Sequence, residues 1–338
     1  MALPSIRSVR KFFRELCLHF RREGSSEATG LAAAVEGCAQ CWKRWSDLPF
    51  FLKVLYGRDF DSILVMTRAL VVSRPGSHWK DLLNPAKTAN TVRGDIFDAF
   101  VKQSLLVGLG PNCTFPQARS GRSLDAQVNI AGTMIGIEAS ALGQSMADKV
   151  MWDALFEKRR RTKRRCTTGV RLGDPYEAVL RLTEKFLDKV AHECRPDKCQ
   201  LLKDHPNVLF ISFPDRVSVG PMNRDVSWAM DALFSEAPWE RVVIERVKDV
   251  WSVLERKAVE NKVVDPTDPT RFGSFMKRQL WPQFKLVSGI LLFDDCRFVR
   301  GRINYHCHEA NRISHAAMGE FEKIMSSADR SPFQVSDV

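Results

Sequence analysis

The sequence has no apolar run long enough to cross a bilayer. A membrane-spanning helix needs about 20 consecutive apolar residues, whereas the longest apolar stretches, 208–213 and 286–293, have the length of buried strands. We therefore predict no membrane partner. With 338 residues, 44% of them hydrophobic, the chain has enough apolar material for a sizeable folded core.

Cysteine is too sparse to form a disulfide framework. The chain has nine cysteines, an odd number spread over 338 residues, unlike the dense even sets of small secreted domains. The first residues also lack the apolar segment of a secretory signal peptide. We therefore expect a cytoplasmic, reducing environment in which most thiols are free and buried.

Two common catalytic signatures are also absent. No glycine-rich phosphate loop follows a strand, since Gly108 and Gly110 follow a predicted helix and lack the third glycine. No G-x-S-x-G nucleophile elbow occurs. These absences argue against dinucleotide-binding and serine-hydrolase chemistry.

Positive charge is in excess. Lys and Arg total 51 against 40 Asp and Glu, which gives a net charge of +11 and favours an anionic partner, nucleic acid first and an acidic membrane surface second. One run is dense enough to be a phosphate-backbone contact or a nuclear-localisation sequence, the alternative being a solvated helix end. It comprises Lys158, Arg159, Arg160, Arg161, Lys163, Arg164 and Arg165. The oligomeric state is not indicated.

The first part of the chain has helical periodicity. Residues 1–73 read as helices, and 74–93 carries the Pro, Gly and Asn turn signals of a linker. We predict a helical N-terminal region over 1–90 and an α/β domain over 91–338. The Arg-rich residues 1–22 have the composition of a mitochondrial presequence, but acidic residues interrupt it, so a core-facing helix is the preferred interpretation.

A hairpin carries the candidate chemistry. Residues 124–130 and 133–140 alternate like strands around Ala131-Gly132. With a two-residue turn the opposed positions sum to 263, which makes one face apolar and places Asp125 opposite Glu138. Opposed carboxylates repel, so a shared proton, a cationic side chain or a divalent metal is needed unless the pair is solvated. Mg²⁺, which binds one or two carboxylates with water and phosphate, is our preferred explanation.

The order of elements resembles the PD-(D/E)XK nuclease superfamily. A helix at 95–107, the strands with Asp125 and Glu138, a further helix and a buried strand at 207–213 follow one another. The resemblance implies a restriction-endonuclease-like core at 95–213, a central mixed β-sheet flanked by helices. It does not account for residues 216–338, which we predict to be a C-terminal extension of the same domain.

The same resemblance implies the roles of the site residues. Asp125 and Glu138 would bind Mg²⁺ for hydrolysis of DNA or RNA, assisted by Asp95 or Asp98. Leu124 replaces the motif's Pro and Ser140 replaces its Lys, so Lys149 on the following predicted helix is the expected catalytic cation. Two alternatives are a non-catalytic nucleic-acid-binding or scaffolding protein with the same fold, and an all-helical regulatory protein.

Overall fold

The computed structural model is of the α/β class. It describes residues 4–73, 79–84, 87, 89–116, 124–142, 185–191, 199–213, 255–262, 265, 267, 274, 278–279 and 281–334. Helices accompany a six-stranded mixed sheet within these residues, so the all-helical alternative is wrong. None of the described helices has the length and apolar character that a membrane crossing requires.

The chain divides into two compact units. The first contains Met1–Cys113, Asp295–Arg297 and Lys323–Val338, and the second contains Thr114–Asp294 and Phe298–Glu322. The predicted domain boundary near residue 90 stays a prediction.

The first unit is helical, as its periodicity predicted. Its helices are α1 (Ile6–Glu23), α2 (Ser26–Ala39), α3 (Phe50–Leu55), α4 (Phe60–Ser73), α5 (Trp79–Leu82) and α6 (Ala89–Leu109). Ser5 caps α1 by accepting a hydrogen bond from the Ser8 amide at 3.1 Å, and Gly24 ends it in the left-handed conformation at φ 79°. The apolar face of α1 is buried, which confirms the core-facing helix; it comprises Val9, Phe13, Leu16, Cys17 and Phe20.

The predicted linker over 74–93 is wrong in part. It contains α5, and α6 already begins at Ala89. Lys87 lies between the two helices, with its Nζ 2.8 Å from carboxylate oxygens of both Asp81 and Asp95. These ion pairs bind the segment to both helices, an interaction that local turn signals do not reveal.

The sheet confirms the predicted strands with small shifts of their ends. Its strands are β1 (Cys113–Thr114), β2 (Ala126–Ile130), β3 (Thr133–Ala141), β4 (Asn207–Phe213), β5 (Gly289–Asp294) and β6 (Arg297–Ile303). They are adjacent in that order. β2 and β3 are antiparallel, whereas β3, β4 and β5 are parallel to one another, so the sheet is mixed.

Helices contribute side chains to both faces of the sheet. Among the described residues of the second unit, the helices are α7 (185–190), α8 (255–260), α9 (Trp281–Phe284) and the start of α10 (His315–Ser327). Glu138 pairs with Leu209, and the next residues along the strands, Ala139 and Phe210, pair on the opposite face. On the Glu138 face lies Lys189 of α7. On the other face Phe321 of α10 packs edge-on against Phe210, with ring centroids 5.7 Å apart.

A buried asparagine fixes the start of β4. Asn207 is 0% exposed, and its Oδ1 accepts a hydrogen bond from the Leu202 amide at 2.9 Å. Its Nδ2 donates to the carbonyl oxygens of Leu202, His205 and Leu286 at 2.8, 3.0 and 2.9 Å. The side chain therefore joins the loop before β4 to the segment before β5, where buried backbone groups need partners.

Candidate active site

The hairpin of β2 and β3 has the predicted register. Ala131 and Gly132 have φ values of 52° and 80°, the two left-handed residues of a type I′ turn. Every observed pair sums to 263, so the two-residue turn is confirmed. The pairs are Ala126 with Ile137, Gln127 with Gly136, Val128 with Ile135, Asn129 with Met134, and Ile130 with Thr133.

Asp125 departs from this register by a local bulge. Its amide donates a hydrogen bond at 3.1 Å to the carbonyl oxygen of Ile137, the residue that also pairs with Ala126. Two successive residues then face one residue of the partner strand, as in a β-bulge. Asp125 is thereby displaced from the predicted place directly opposite Glu138. Its Oδ2 accepts a hydrogen bond from the Ala139 amide at 2.8 Å, so its carboxylate lies against the backbone next to Glu138.

Glu138 is buried and forms an ion pair with a lysine of α7. Its side chain is 1% exposed, that of Lys189 is 17% exposed, and Glu138 Oε2 lies 2.5 Å from Lys189 Nζ. A charge-assisted contact of this length is strong, and losing either partner leaves a buried charge. Of the alternatives considered for balancing the two carboxylates, a cationic side chain is therefore present.

Two lysines of α7 share this site and have opposite pKa shifts. Burial lowers the pKa of Lys189, but the negative charges of Glu138 and Asp125 outweigh it, so the net pKa is raised above the ordinary value. Lys185 lies one helical turn earlier. Burial, followed by the positive charge of Lys189, lowers the pKa of Lys185. The pair therefore has one lysine held firmly protonated and one that loses its proton more readily.

Lys189 was missed by sequence reasoning, although one signal pointed to it. Lys185 and Lys189 are four residues apart in the sequence, a spacing that puts both on one face of a helix. Glu138 precedes Lys189 by 51 residues, however, and nothing local indicates that this helix face covers that strand.

The remaining predicted site residues are either undescribed or belong to the first unit. Lys149 and the basic run 158–165 fall outside the described residues, so their roles stay predictions. Asp95 and Asp98 both belong to α6 in the first unit. Asp95 is paired with Lys87 at 2.8 Å, and Asp98 Oδ2 lies 3.1 Å from the Nζ of Lys102. Both acids therefore have lysine partners within that unit.

The two carboxylates suit a Mg²⁺ ion that the protein and a phosphate substrate hold together. Among the residues that the structure describes, no three His, Cys, Asp or Glu side chains gather as metal ligands. Asp125 and Glu138 supply two carboxylates, and Mg²⁺ commonly takes one or two carboxylates with water and substrate phosphate oxygens. The residues thus fit a magnesium ion that a phosphate substrate helps to hold, rather than a cage made by the protein alone.

Comparisons with known proteins return no match. No protein-family model, no curated protein and no solved structure is significantly similar to the chain. Function must therefore be argued from the Asp125, Glu138 and Lys189 geometry.

Proposed function

We propose that this chain is a nuclease-like protein that hydrolyses phosphodiester bonds of DNA or RNA with Mg²⁺. One observation carries the proposal: Asp125 and Glu138 share a site with a lysine, Lys189, which comes from a helix that packs on the sheet. Two carboxylates and a lysine are the residue types that the PD-(D/E)XK resemblance requires. The net charge of +11 agrees with a nucleic-acid substrate, and we propose a cytoplasmic location.

Each residue has a physical role in this proposal. Asp125 and Glu138 would hold Mg²⁺, which when bound polarises the scissile phosphate and lowers the pKa of a bound water. The Ala139 amide fixes one oxygen of Asp125 and so orients that carboxylate. Lys189, whose pKa is raised, stays protonated at neutral pH and stabilises negative charge developing on the phosphate. In this proposal Lys189 takes the role that Lys149 had in the sequence interpretation.

A cleavage assay with single variants tests this proposal. Asp125→Asn, Glu138→Gln and Lys189→Met are incubated with DNA and RNA, single- and double-stranded, in Mg²⁺ or Mn²⁺. We expect wild-type cleavage that requires the metal and a loss of at least about a hundredfold in each variant. Lys149→Met is the matched comparison. If Lys149 is the catalytic cation, as the sequence interpretation predicts, this variant loses more cleavage activity than Lys189→Met. If Lys189 is the catalytic cation, as its ion pair with Glu138 indicates, Lys189→Met loses more. Circular dichroism confirms that each variant folds.

The second candidate function is nucleic-acid binding without catalysis. The specific observation for it is that the 2.5 Å contact between Lys189 and Glu138 balances that carboxylate without any metal. Ser140 at the motif's lysine position points the same way. If wild-type protein cleaves no substrate and its melting temperature does not respond to Mg²⁺, but it binds nucleic acid, this function replaces the first.

A further inference from the structure

The solvent face of α1 carries a row of positively charged residues. We name Arg7, Lys11, Arg14, Arg21 and Arg22 the α1 basic stripe; all five are exposed. At 100° per residue they fall within an arc of about 100°. The buried residues of α1 lie on the opposite side of the helix. The stripe is therefore presented by a helix whose other face is anchored in the core of the first unit.

Three members of the stripe are not used to hold the fold together. Lys11 lies 3.9 Å from Glu15, and Arg21 lies 2.5 Å from Glu36 of α2. Within the described part of the chain, the guanidinium groups of Arg7, Arg14 and Arg22 make no ion pair or hydrogen bond. Exposed cations without an internal partner are available to an external anion.

We infer that the α1 basic stripe is a docking surface for the phosphate backbone of a nucleic-acid duplex. At 1.5 Å per residue, Arg7 and Arg14 are about 10 Å apart along the helix, and Arg14 and Arg22 about 12 Å. Phosphates on one strand of a duplex recur about every 3.4 Å of its axis. Both intervals exceed this rise, so each arginine can reach a different phosphate, and the partner is recognised by charge rather than by sequence.

A duplex fits this surface better than an anionic membrane does. A helix that lies in a membrane surface buries its apolar face among the lipid chains. The apolar face of α1 is already buried in protein, with Phe13 and Phe20 at 2% and 0% exposure. Leu18, 48% exposed, is the apolar side chain within the stripe. This surface therefore attracts a partner by its positive charge rather than by apolar contact.

The test measures binding to labelled DNA and RNA duplexes by fluorescence anisotropy across a salt series. EDTA is present, so the outcome is independent of hydrolysis and of the site at Asp125 and Glu138. The variant Arg7→Gln/Arg14→Gln/Arg22→Gln keeps good helix formers on α1. We expect weaker binding at every sequence and a log–log salt slope shallower by up to about 2.7, which is about 0.9 for each lost phosphate contact.

A matched control removes three charges elsewhere. Lys203, Arg278 and Arg312 are exposed residues of the second unit, and Lys203→Gln/Arg278→Gln/Arg312→Gln should keep the wild-type slope. An equal loss in both triple variants would overturn the inference, because net charge alone would then explain binding. An unchanged stripe variant, or stripe-dependent binding to anionic lipid vesicles but not to duplexes, would overturn it as well.

Discussion

Removing either partner of the Glu138–Lys189 ion pair should destabilise the fold strongly, and removing both should cost less than the two single losses added together. The two side chains are 1% and 17% exposed, so Lys189→Met leaves a buried carboxylate without its cation. Loss of one partner of a buried pair costs about 3–5 kcal/mol. Glu138→Gln should have a cost of the same order. We expect Glu138→Gln/Lys189→Met to be more stable than the sum of the single costs predicts by about 2 kcal/mol or more.

Urea denaturation followed by circular dichroism measures these free energies of unfolding. Lys185→Met is the matched control, because it makes the same change one helical turn away. Burial and the charge of Lys189 lower the pKa of Lys185, so its protonated form is disfavoured in the fold and its removal should not reduce stability at pH 7. Single-variant costs that add to within about 0.5 kcal/mol in the double variant would refute a direct ion pair.

Three further predictions concern pH and packing. The pKa of Lys189 is raised in the fold, so its protonated form contributes fully to stability below the unfolded pKa of about 10.4. This contribution is lost as pH rises through the higher folded pKa. The free energies of unfolding of wild type and Lys189→Met, measured in urea, should therefore converge only above about pH 10.4. Asn207→Ala removes the Oδ1 acceptor and the two N–H donors that serve three carbonyl oxygens, and it should lower the free energy of unfolding by about 3 kcal/mol. A loss below about 1 kcal/mol would contradict that network. Gly289→Ala places a Cβ 2.8 Å from the carbonyl oxygen of Arg302 and should lower the free energy of unfolding by about 1–3 kcal/mol. Gly301→Ala should lower it less, because the added Cβ there meets only the movable side chain of Glu322. Equal melting temperatures of the two variants would contradict this difference.

Local pattern predicted the hairpin but not the environment of its carboxylates. Alternation of apolar residues and the Ala131-Gly132 turn were enough for the register of β2 and β3, because one buried face leaves little freedom to slip. The bulge at Asp125 is a departure of a single residue that the alternation does not encode. The bulge puts the Asp125 carboxylate against the Ala139 amide instead of directly opposite Glu138.

The cation of the site depends on tertiary structure. Lys189 reaches Glu138, 51 residues earlier in the chain, because α7 packs on one face of the sheet. Periodicity predicted a helix in this region, but it did not indicate that lysines of this helix face the sheet. Within the fold α7 is anchored by buried residues such as Phe186, whose ring lies 5.1 Å from that of Phe284 in α9. Such pairings between distant segments are invisible to local periodicity.

The α5 segment shows the same limit in the first unit. Turn-forming residues over 74–93 indicated a linker, yet Lys87 forms ion pairs with Asp81 and Asp95 on either side of it. Lys87 is close in sequence to both aspartates, but the two ion pairs form only when the folded chain brings α5 and α6 to the same lysine. The spacing of apolar and turn-forming residues does not predict ion pairs of this kind.

A crystal structure with Mn²⁺ and a short non-cleavable oligonucleotide tests the proposed function most directly. Mn²⁺ has an anomalous signal and accepts the oxygen ligands that Mg²⁺ takes. The proposed function predicts an anomalous peak bound by carboxylate oxygens of both Asp125 and Glu138, with the Lys189 ammonium near a phosphate oxygen. Clear density for the oligonucleotide with no peak at these carboxylates, and with Lys189 still paired to Glu138, would contradict it.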